Sequence, residues 1–271
     1  MMRRGAELAV LLTAVAAQQQ PRAPPTATHG QREPPAQHAA DEPERCPAAS
    51  FRWSPGEHRI NITTAQDEPF HQRSFLLLVP RTMPADGQRV PALVAWHGSS
   101  ESPWYQSVLI DAQPNADRYG WIVAIPFGTA AHHTDTCCPD DGSCPLDSMC
   151  RPGLCLDKPN RCQWANGPMA GPARRGADDV ALARLIVDWL VDHACVSRQH
   201  VFSSGFSNGA RMSLRLGCEA ADLFAGIAPG AGTSSFEPPC LPSRPISYLG
   251  FSGTEDHVSP ASVCPATHAD V

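Results

Sequence analysis

The segment Gly205-Phe206-Ser207-Asn208-Gly209 has the G-x-S-x-G pattern, in which a serine is held for nucleophilic attack. The segment His200–Ser204, a predicted strand, precedes it and a helical pattern begins at Ala210, so the serine lies between a predicted strand and a predicted helix. Glycines permit a sharp turn, and a helix N-terminus favours negative charge developing nearby. We therefore predict that Ser207 is a nucleophile rather than part of an incidental turn.

Acyl transfer through a serine also requires hydrogen-bond donors for the tetrahedral oxyanion. The backbone N–H of Asn208, directly after the serine, is the first predicted donor. The second donor usually comes from the loop after an early strand. Here the run Pro91–Trp96 leads into His97-Gly98-Ser99-Ser100, and we predict the N–H of Ser99 as that donor. We interpret His97 as a structural histidine that fixes this loop.

An acid is expected after a later strand, because the chain order in serine hydrolases of this pattern is serine, acid, histidine. The apolar run Ile246–Phe251 leads directly into Ser252-Gly253-Thr254-Glu255-Asp256-His257. Asp256 is predicted as the acid that orients and stabilises an imidazolium, with Glu255 as the alternative.

Short apolar runs and a helical pattern surround these residues and must position them. Near-continuous apolar runs are typical of strands buried on both faces; they occur at Ser74–Val79, Pro91–Trp96, Gly120–Ile125 and Phe224–Ala228. Between Asp178 and Cys195 the apolar residues fall at helical spacing, with Asp178 or Asp179 placed to cap the helix. This alternation predicts an α/β fold with a mostly parallel, doubly wound sheet.

The bulk composition indicates one globular domain with tails. The chain has 271 residues, of which 42% are hydrophobic and 18% charged, with a net charge of −6. These values suit a protein with a sizeable core and provide no concentrated basic face for nucleic acid. No apolar run approaches the roughly 20 residues that span a bilayer. We therefore expect neither nucleic acid nor membrane as a partner.

The first 45 residues predict export followed by a linker. A positively charged start precedes the apolar stretch Ala6–Ala17, which contains the small-residue pattern that signal peptidase reads; a buried helix start is the alternative. The next segment is rich in Gln, Pro, Ala and His and cannot offset its ordering entropy by burial. We predict a signal peptide at 1–17, a disordered linker at 18–45 and the hydrolase domain at 46–271.

Eleven cysteines agree with export, because disulfides persist in oxidising compartments. Six of them lie between Cys137 and Cys162 in a segment without periodicity, which we interpret as a surface insertion stapled by disulfides. A metal site that includes His132 and His133 is the alternative, but the cysteine spacing matches no zinc pattern, and we expect no metal. The other five leave one unpaired: Cys46, Cys195, Cys218, Cys240 and Cys264.

From about residue 51 to residue 260 the chain resembles secreted esterases of the feruloyl esterase and polyhydroxybutyrate depolymerase group, within carbohydrate esterase family one. The matching stretches are His97-Gly98, Asp117–Pro126, Asp178–Leu190, His200–Gly232 and Gly253–Pro260. The resemblance implies an α/β-hydrolase fold and cofactor-free hydrolysis of carboxylic esters, such as feruloyl groups on plant cell-wall xylan, by a secreted protein that we expect to be a monomer. Cys162-Gln163-Trp164 resembles a Cys–Trp motif near the family's active-site rim, and we assign no contact to it.

Two alternatives to this function stay open. One is a depolymerase of polyhydroxyalkanoates or other polyesters, since the choice of ester depends on pocket shape in the insertion and in the C-terminal loops. The other is a catalytically inactive secreted binding protein on the same fold, since a fold does not guarantee a function.

The catalytic histidine of the family lies beyond one more strand and helix after the acid, and we identify no counterpart for it. Val271 lies 15 positions after Asp256, and His268 is the only histidine after His257. His257 adjoins the acid and should diverge from the site, and His268 would need an unusual path to reach Ser207. We hypothesise a chain truncated at its C-terminus, which would also explain the odd cysteine total. A chain that ends at Val271 should then be nearly inactive, since losing the histidine costs about 10⁶-fold in turnover.

Overall fold

The computed structural model describes most of the chain between residues 45 and 259. The described residues are 45–46, 53–64, 72–84, 87–130, 150–151, 154–155, 162–167, 170, 173, 176–232 and 240–259. The predicted signal peptide, nearly all of the predicted linker and most of the cysteine-rich insertion lie outside them, as do His132, His133, Cys264 and His268.

A seven-stranded, mostly parallel sheet forms the centre of the described chain. Its strands follow one another in space in the order β1 (Gly56–Thr63), β2 (Gln72–Val79), β4 (Ile122–Pro126), β3 (Val90–Trp96), β9 (Val196–Phe206), β10 (Gly226–Gly230) and β11 (Ser247–Tyr248). Strands β1, β2 and β4 pair antiparallel, and every pair from β4 to β11 is parallel. Two small ribbons lie apart from the sheet: β5 (Thr129–Ala130) with β8 (Cys162–Gln163), and β6 (Cys150–Arg151) with β7 (Leu154–Cys155).

Helices cover both faces of this sheet, which confirms the predicted doubly wound α/β architecture. Helices α1 (Pro103–Leu109) and α2 (Ala112–Tyr119) lie on one face, where Ala112 and Ala116 join a buried cluster with Leu76 and Leu93. Helices α3 (Asp179–His193) and α4 (Asn208–Glu219) lie on the other face, and their apolar residues join the larger cluster that includes Leu182, Ile186, Leu190, Met212 and Leu216. No described helix combines the length and apolarity needed to cross a membrane.

Asp178 caps the N-terminus of α3, as the sequence predicts. Its carboxylate accepts hydrogen bonds from the N–H groups of Val180 at 3.1 Å and Ala181 at 2.9 Å, which would otherwise lack partners. The neighbouring Asp179, the other predicted cap, instead points into the core and pairs with Arg73 at 2.7 Å. Because both side chains of this ion pair are almost fully buried, each depends on the other to avoid an uncompensated charge.

Two disulfides join described cysteines. Cys46–Cys195 links residues 149 positions apart, and Cys218–Cys240 links residues 22 positions apart. Cys162, at the end of the predicted insertion, is disulfide-bonded as well. Of the five cysteines outside the insertion, four are thus paired.

We expect the loss of Cys46–Cys195 to destabilise the protein more than the loss of Cys218–Cys240. In the chain-entropy treatment, a cross-link restricts the unfolded chain more when it closes a longer loop, by about 5 kcal/mol for the first bond and about 3 kcal/mol for the second. Denaturant unfolding of Cys46→Ser/Cys195→Ser and Cys218→Ser/Cys240→Ser variants measures both. Equal midpoints and slopes for the two double variants would contradict the expectation.

Candidate active site

Ser207 sits at a strained turn between β9 and α4. Its backbone has φ 53° and ψ −113°, a conformation that residues with a side chain rarely adopt. Such a conformation costs roughly 1 to 3 kcal/mol and persists only where the surrounding structure enforces it. The Ser207 N–H donates to the carbonyl of Gly230 at 3.0 Å, which ties the turn to the neighbouring strand β10. The serine is therefore held at the carboxyl edge of the sheet.

The two glycines around Ser207, Gly205 and Gly209, are required because other backbone segments approach them closely, and not because they have a positive φ. A Cβ on Gly205 would lie 2.8 Å from the carbonyl oxygen of Trp96 and would overlap the backbone of Gly209. A Cβ on Gly209 would overlap the Trp96 carbonyl and lie 2.6 Å from that of His97. Neither glycine has a positive φ, and Ser207 alone in the motif takes that conformation. The first turn of α4 is thus packed directly on the end of β3.

The loop after β3 supplies the second predicted oxyanion donor. Ser100 in this loop has φ 62°, and its N–H donates to the carbonyl of Cys162 at 3.0 Å. Among the described residues, no acceptor pairs with the N–H of Ser99. Asn208 is the first residue of α4, so its N–H has no acceptor within the helix. The first turn of α4, where Asn208 lies, packs against the start of this loop at the carbonyls of Trp96 and His97.

His97 is buried beneath this loop with both ring nitrogens engaged. Its side chain is 1% exposed, Nδ1 lies 2.7 Å from the carbonyl of Gly98, and Nε2 accepts the N–H of Gly128 at 3.1 Å. One nitrogen therefore donates and the other accepts, which fits the neutral ring. Burial lowers the pKa of His97 to about 4. This arrangement agrees with a structural role.

The burial of His97 predicts a loss of stability in mild acid. At pH values between the ordinary pKa of 6.5 and the folded value of about 4, His97 is protonated in the unfolded chain but neutral in the folded protein. His97 should therefore lower the free energy of unfolding as pH falls through this window, by about 3 kcal/mol in all. Glu101, whose pKa is raised to about 7, acts in the opposite direction over the same window, so the test is the difference between variants and not the net change of the wild type. Denaturant unfolding at pH 7 and pH 4.5 should show that His97→Gln loses less stability, or gains more, than the wild type on acidification. His257→Gln, at an exposed histidine, should retain the wild-type pH dependence; equal pH dependence in all three would contradict the assignment.

Glu101 belongs to the same loop, and the sequence pattern gave no reason to single it out. Its Oε2 accepts the N–H of Gly98 at 2.6 Å, and a Cβ on Gly98 would lie 2.7 Å from that oxygen. Burial raises the pKa of Glu101 to about 7, against the opposing effect of the Gly98 hydrogen bond. The loop of the predicted donor Ser99 thus carries a buried carboxyl group whose pKa is raised to about 7.

Asp256 follows β11 on a loop at the same edge of the sheet. The chain after β11 continues parallel to β10 as far as Phe251, which bridges to Gly230. The carboxyl ends of β9 and β10 and this extension therefore point the same way, which places the loops of Ser207 and Asp256 at one edge. One oxygen of Asp256 accepts the N–H groups of Ser259 and Val258 at 2.8 Å each, and these bonds lower its pKa. Glu255, the alternative acid, is exposed.

No described histidine contacts the hydroxyl of Ser207. Apart from the engaged His97, the described histidines are His58, His193, His200 and His257. Of these, His58 lies 2.7 Å from the carbonyl of Ser54, and His200 lies 2.9 Å from the Ser197 hydroxyl. Within the described ranges, no group of three metal-ligating side chains is placed to hold an ion.

Trp164 is the residue of this region that sequence reasoning missed most clearly. It is fully buried, and its ring packs against Trp96 at 4.9 Å and His97 at 4.7 Å between centroids. The segment 162–167 that carries it crosses between the donor loop and the start of α4. The Cys–Trp pattern in the sequence was the available signal, although it predicted no contact.

Comparison with known proteins finds relatives among esterases. No protein-family model matches the chain. Feruloyl esterase B of Piromyces equi is 38% identical over 103 residues, which are 35% of this chain and 19% of that enzyme. Feruloyl esterase C of Emericella nidulans is 35% identical over 96 residues, which are 35% of each chain. The chain thus covers about a fifth to a third of the length of these curated relatives.

Among solved structures, a thermostable esterase is 15% identical and aligns over 76% of this chain and 48% of its own, with a TM-score of 0.49. Because that likeness is distant, the fold assignment depends on the mostly parallel sheet and on the strand–turn–helix around Ser207. The chain is an α/β-hydrolase in architecture. Over about a third of its length it is similar to feruloyl esterases.

Proposed function

We propose that the protein is a serine carboxylic-ester hydrolase that acts on ester-substituted plant cell-wall polysaccharide such as xylan. The observation that carries the proposal is the backbone of Ser207, a non-glycine residue with φ 53° at the start of a helix. Strain of this kind clusters at functional sites, and this turn raises a serine hydroxyl at the sheet edge. The homology to feruloyl esterases supports the choice of ester.

In the proposed mechanism, the Ser207 hydroxyl attacks the ester carbonyl and passes its proton to a general base. The backbone N–H groups of Asn208 and Ser99 donate to the oxyanion of the tetrahedral intermediate. The intermediate collapses with transfer of the proton to the leaving alcohol, which leaves an acyl-enzyme. Water, deprotonated by the same base, then releases the carboxylic acid and restores the serine. No cofactor takes part.

The base in this mechanism is a histidine that lies outside the described contacts of Ser207, and Asp256 is its proposed partner. Two backbone N–H groups hold the Asp256 carboxylate and lower its pKa, so it stays ionised at neutral pH. An ionised carboxylate beside an imidazole orients the ring and stabilises the imidazolium that forms during attack. Glu255 has no such anchoring hydrogen bonds among the described contacts.

We also propose that the protein is exported and works as a monomer. The disulfides Cys46–Cys195 and Cys218–Cys240 support an oxidising compartment, since such bonds rarely persist in the cytosol. The proposed organisation is a signal peptide at 1–17, a linker at 18–45 and the hydrolase domain from residue 46 onward.

The test is a substrate panel with the protein expressed from its complete reading frame. Feruloylated xylo-oligosaccharide, acetylated xylan and poly(3-hydroxybutyrate) separate the proposed substrate class from the polyester alternative. We expect release of ferulate that disappears in Ser207→Ala. Hydrolysis of the polyester alone would overturn the substrate class. The absence of both turnover and fluorophosphonate labelling at Ser207 would favour an inactive binding protein.

A further inference from the structure

We propose that Trp164 is a positioning residue that holds the two oxyanion donors, Asn208 and Ser99, in a fixed relation to each other. This inference rests on the proposed function, because it assigns a role within the same site. Trp164 does not reach the reacting atoms in this proposal. It acts through hydrogen bonds on both sides of the donor pair, in the segment 162–167, here called the strap.

The strap holds Asn208 from two directions. The backbone N–H of Trp164 donates to Oδ1 of Asn208 at 2.9 Å, and Nδ2 of Asn166 donates to the Asn208 carbonyl at 3.3 Å. These bonds fix the side chain and the carbonyl of the residue whose own N–H is the proposed donor. The orientation of the Asn208 peptide group therefore depends on where Trp164 and Asn166 lie.

The strap also holds the loop that carries Ser99. The indole Nε1 of Trp164 donates to the carbonyl of His97 at 2.8 Å, at the point where the loop begins. Nε2 of Gln163 donates to the Ser99 hydroxyl at 3.0 Å, and the Cys162 carbonyl accepts the Ser100 N–H at 3.0 Å. Trp164 is thus the residue whose two N–H groups reach both halves of the proposed oxyanion hole.

Charged groups in the core anchor the strap next to Trp164. The N–H of Ala165 donates to Oδ2 of Asp179 at 2.6 Å, and Asp179 is held by the buried ion pair with Arg73. On the other side, Arg215 of α4 donates to the carbonyl of Ala165. Because the strap is anchored to the core, it can hold Asn208 and the loop of Ser99 in fixed positions.

The expected consequence of losing Trp164 follows from how oxyanion holes work. Preorganised donors stabilise charge that appears only in the transition state, so misplacing them lowers kcat with little effect on KM. A displacement of about 1 Å can cost about 100-fold. Trp164→Phe retains an aromatic ring but removes the donor to His97. We expect kcat to fall by about 10- to 100-fold with KM changed less than about threefold.

The experiment compares Trp164→Phe with Trp121→Phe, a buried tryptophan in the cluster on the opposite face of the sheet. For each variant, ester hydrolysis gives kcat and KM, and amide hydrogen exchange reports on segments 97–101 and 206–210. We expect faster exchange in both segments and a kcat loss for Trp164→Phe alone. Equal kcat in the two variants, or a kcat loss without faster exchange in both segments, would overturn the positioning role.

A second variant and the hydrogen-exchange measurement test the positioning role of Trp164 independently of whether the protein hydrolyses esters. Asn208→Ala removes the acceptor of the Trp164 N–H without emptying the core, and it serves if Trp164→Phe does not fold. It should lower kcat about tenfold, and an unchanged kcat would count against the inference. If the wild type hydrolyses no ester, the proposed function fails. Unchanged exchange in Trp164→Phe or Asn208→Ala would in that case independently refute the positioning role.

Discussion

In the protein expressed from its complete reading frame, replacing Ser207 with alanine is expected to lower kcat for ester hydrolysis by about 10⁶-fold. In the proposed mechanism the serine oxygen forms the bond to the acyl group, so without it no acyl-enzyme forms and the ester can be cleaved only by direct attack of water. The proposed oxyanion donors and the binding surface remain, which should leave roughly 10³- to 10⁴-fold of rate enhancement over the uncatalysed reaction. KM should change little, since the hydroxyl contributes mainly in the transition state.

A matched variant, Ser207→Gly, tests whether the backbone of residue 207 is strained in the folded protein. Both variants remove the nucleophile, but only glycine adopts φ 53° and ψ −113° without a steric penalty. Ser207→Gly should therefore be more stable than Ser207→Ala by about 1 kcal/mol in denaturant unfolding, while both are inactive. If Ser207→Ala kept more than a hundredth of the wild-type kcat, Ser207 would not be the nucleophile. Equal stability of the two variants would contradict the strain.

The sequence predicted the most buried strands of the sheet and missed elements in which the apolar pattern is interrupted. Strands β2, β3 and β4 have nearly continuous apolar residues because helices cover both of their faces, and the sequence pattern revealed each of them. Strand β1 mixes exposed and half-buried positions at the sheet edge, so its sequence has no continuous apolar run. Helices α1 and α2 are short and carry prolines, and their periodicity was too weak to predict them.

In the candidate site, too, the residues of a contiguous motif could be predicted from the sequence, whereas contacts between residues distant in the chain could not. Ser207 and Asn208 form a contiguous motif, so spacing and the flanking elements were enough to predict a turn there. The contacts of Trp164 join it to His97, 67 residues away, and to Asn208, 44 residues away. Such pairs depend on the packing of separate elements, which no local pattern encodes. The raised pKa of Glu101 likewise arises from burial that becomes visible only in the folded chain.

Gly209→Ala is expected to prevent folding or to lower the free energy of unfolding by more than about 4 kcal/mol. The added Cβ would overlap the backbone carbonyl of Trp96, and neither partner is a flexible side chain that could move aside. Relief would require α4 to separate from β3, and α4 carries Met212 and Leu216 into the larger core cluster. The cost therefore includes lost packing along the helix as well as the local overlap.

Gly167→Ala is the matched control, because nothing lies within 4 Å of the added Cβ and its φ is not positive. Its stability should stay within about 0.5 kcal/mol of the wild type in the same denaturant experiment. If Gly209→Ala unfolded at the wild-type midpoint, the close contact between α4 and β3 would be absent in solution. The proposed oxyanion hole would then lose support, because that contact packs the first turn of α4 against the start of the loop that carries Ser99. A severe loss restricted to Gly209→Ala would support the backbone packing on which the proposed site depends.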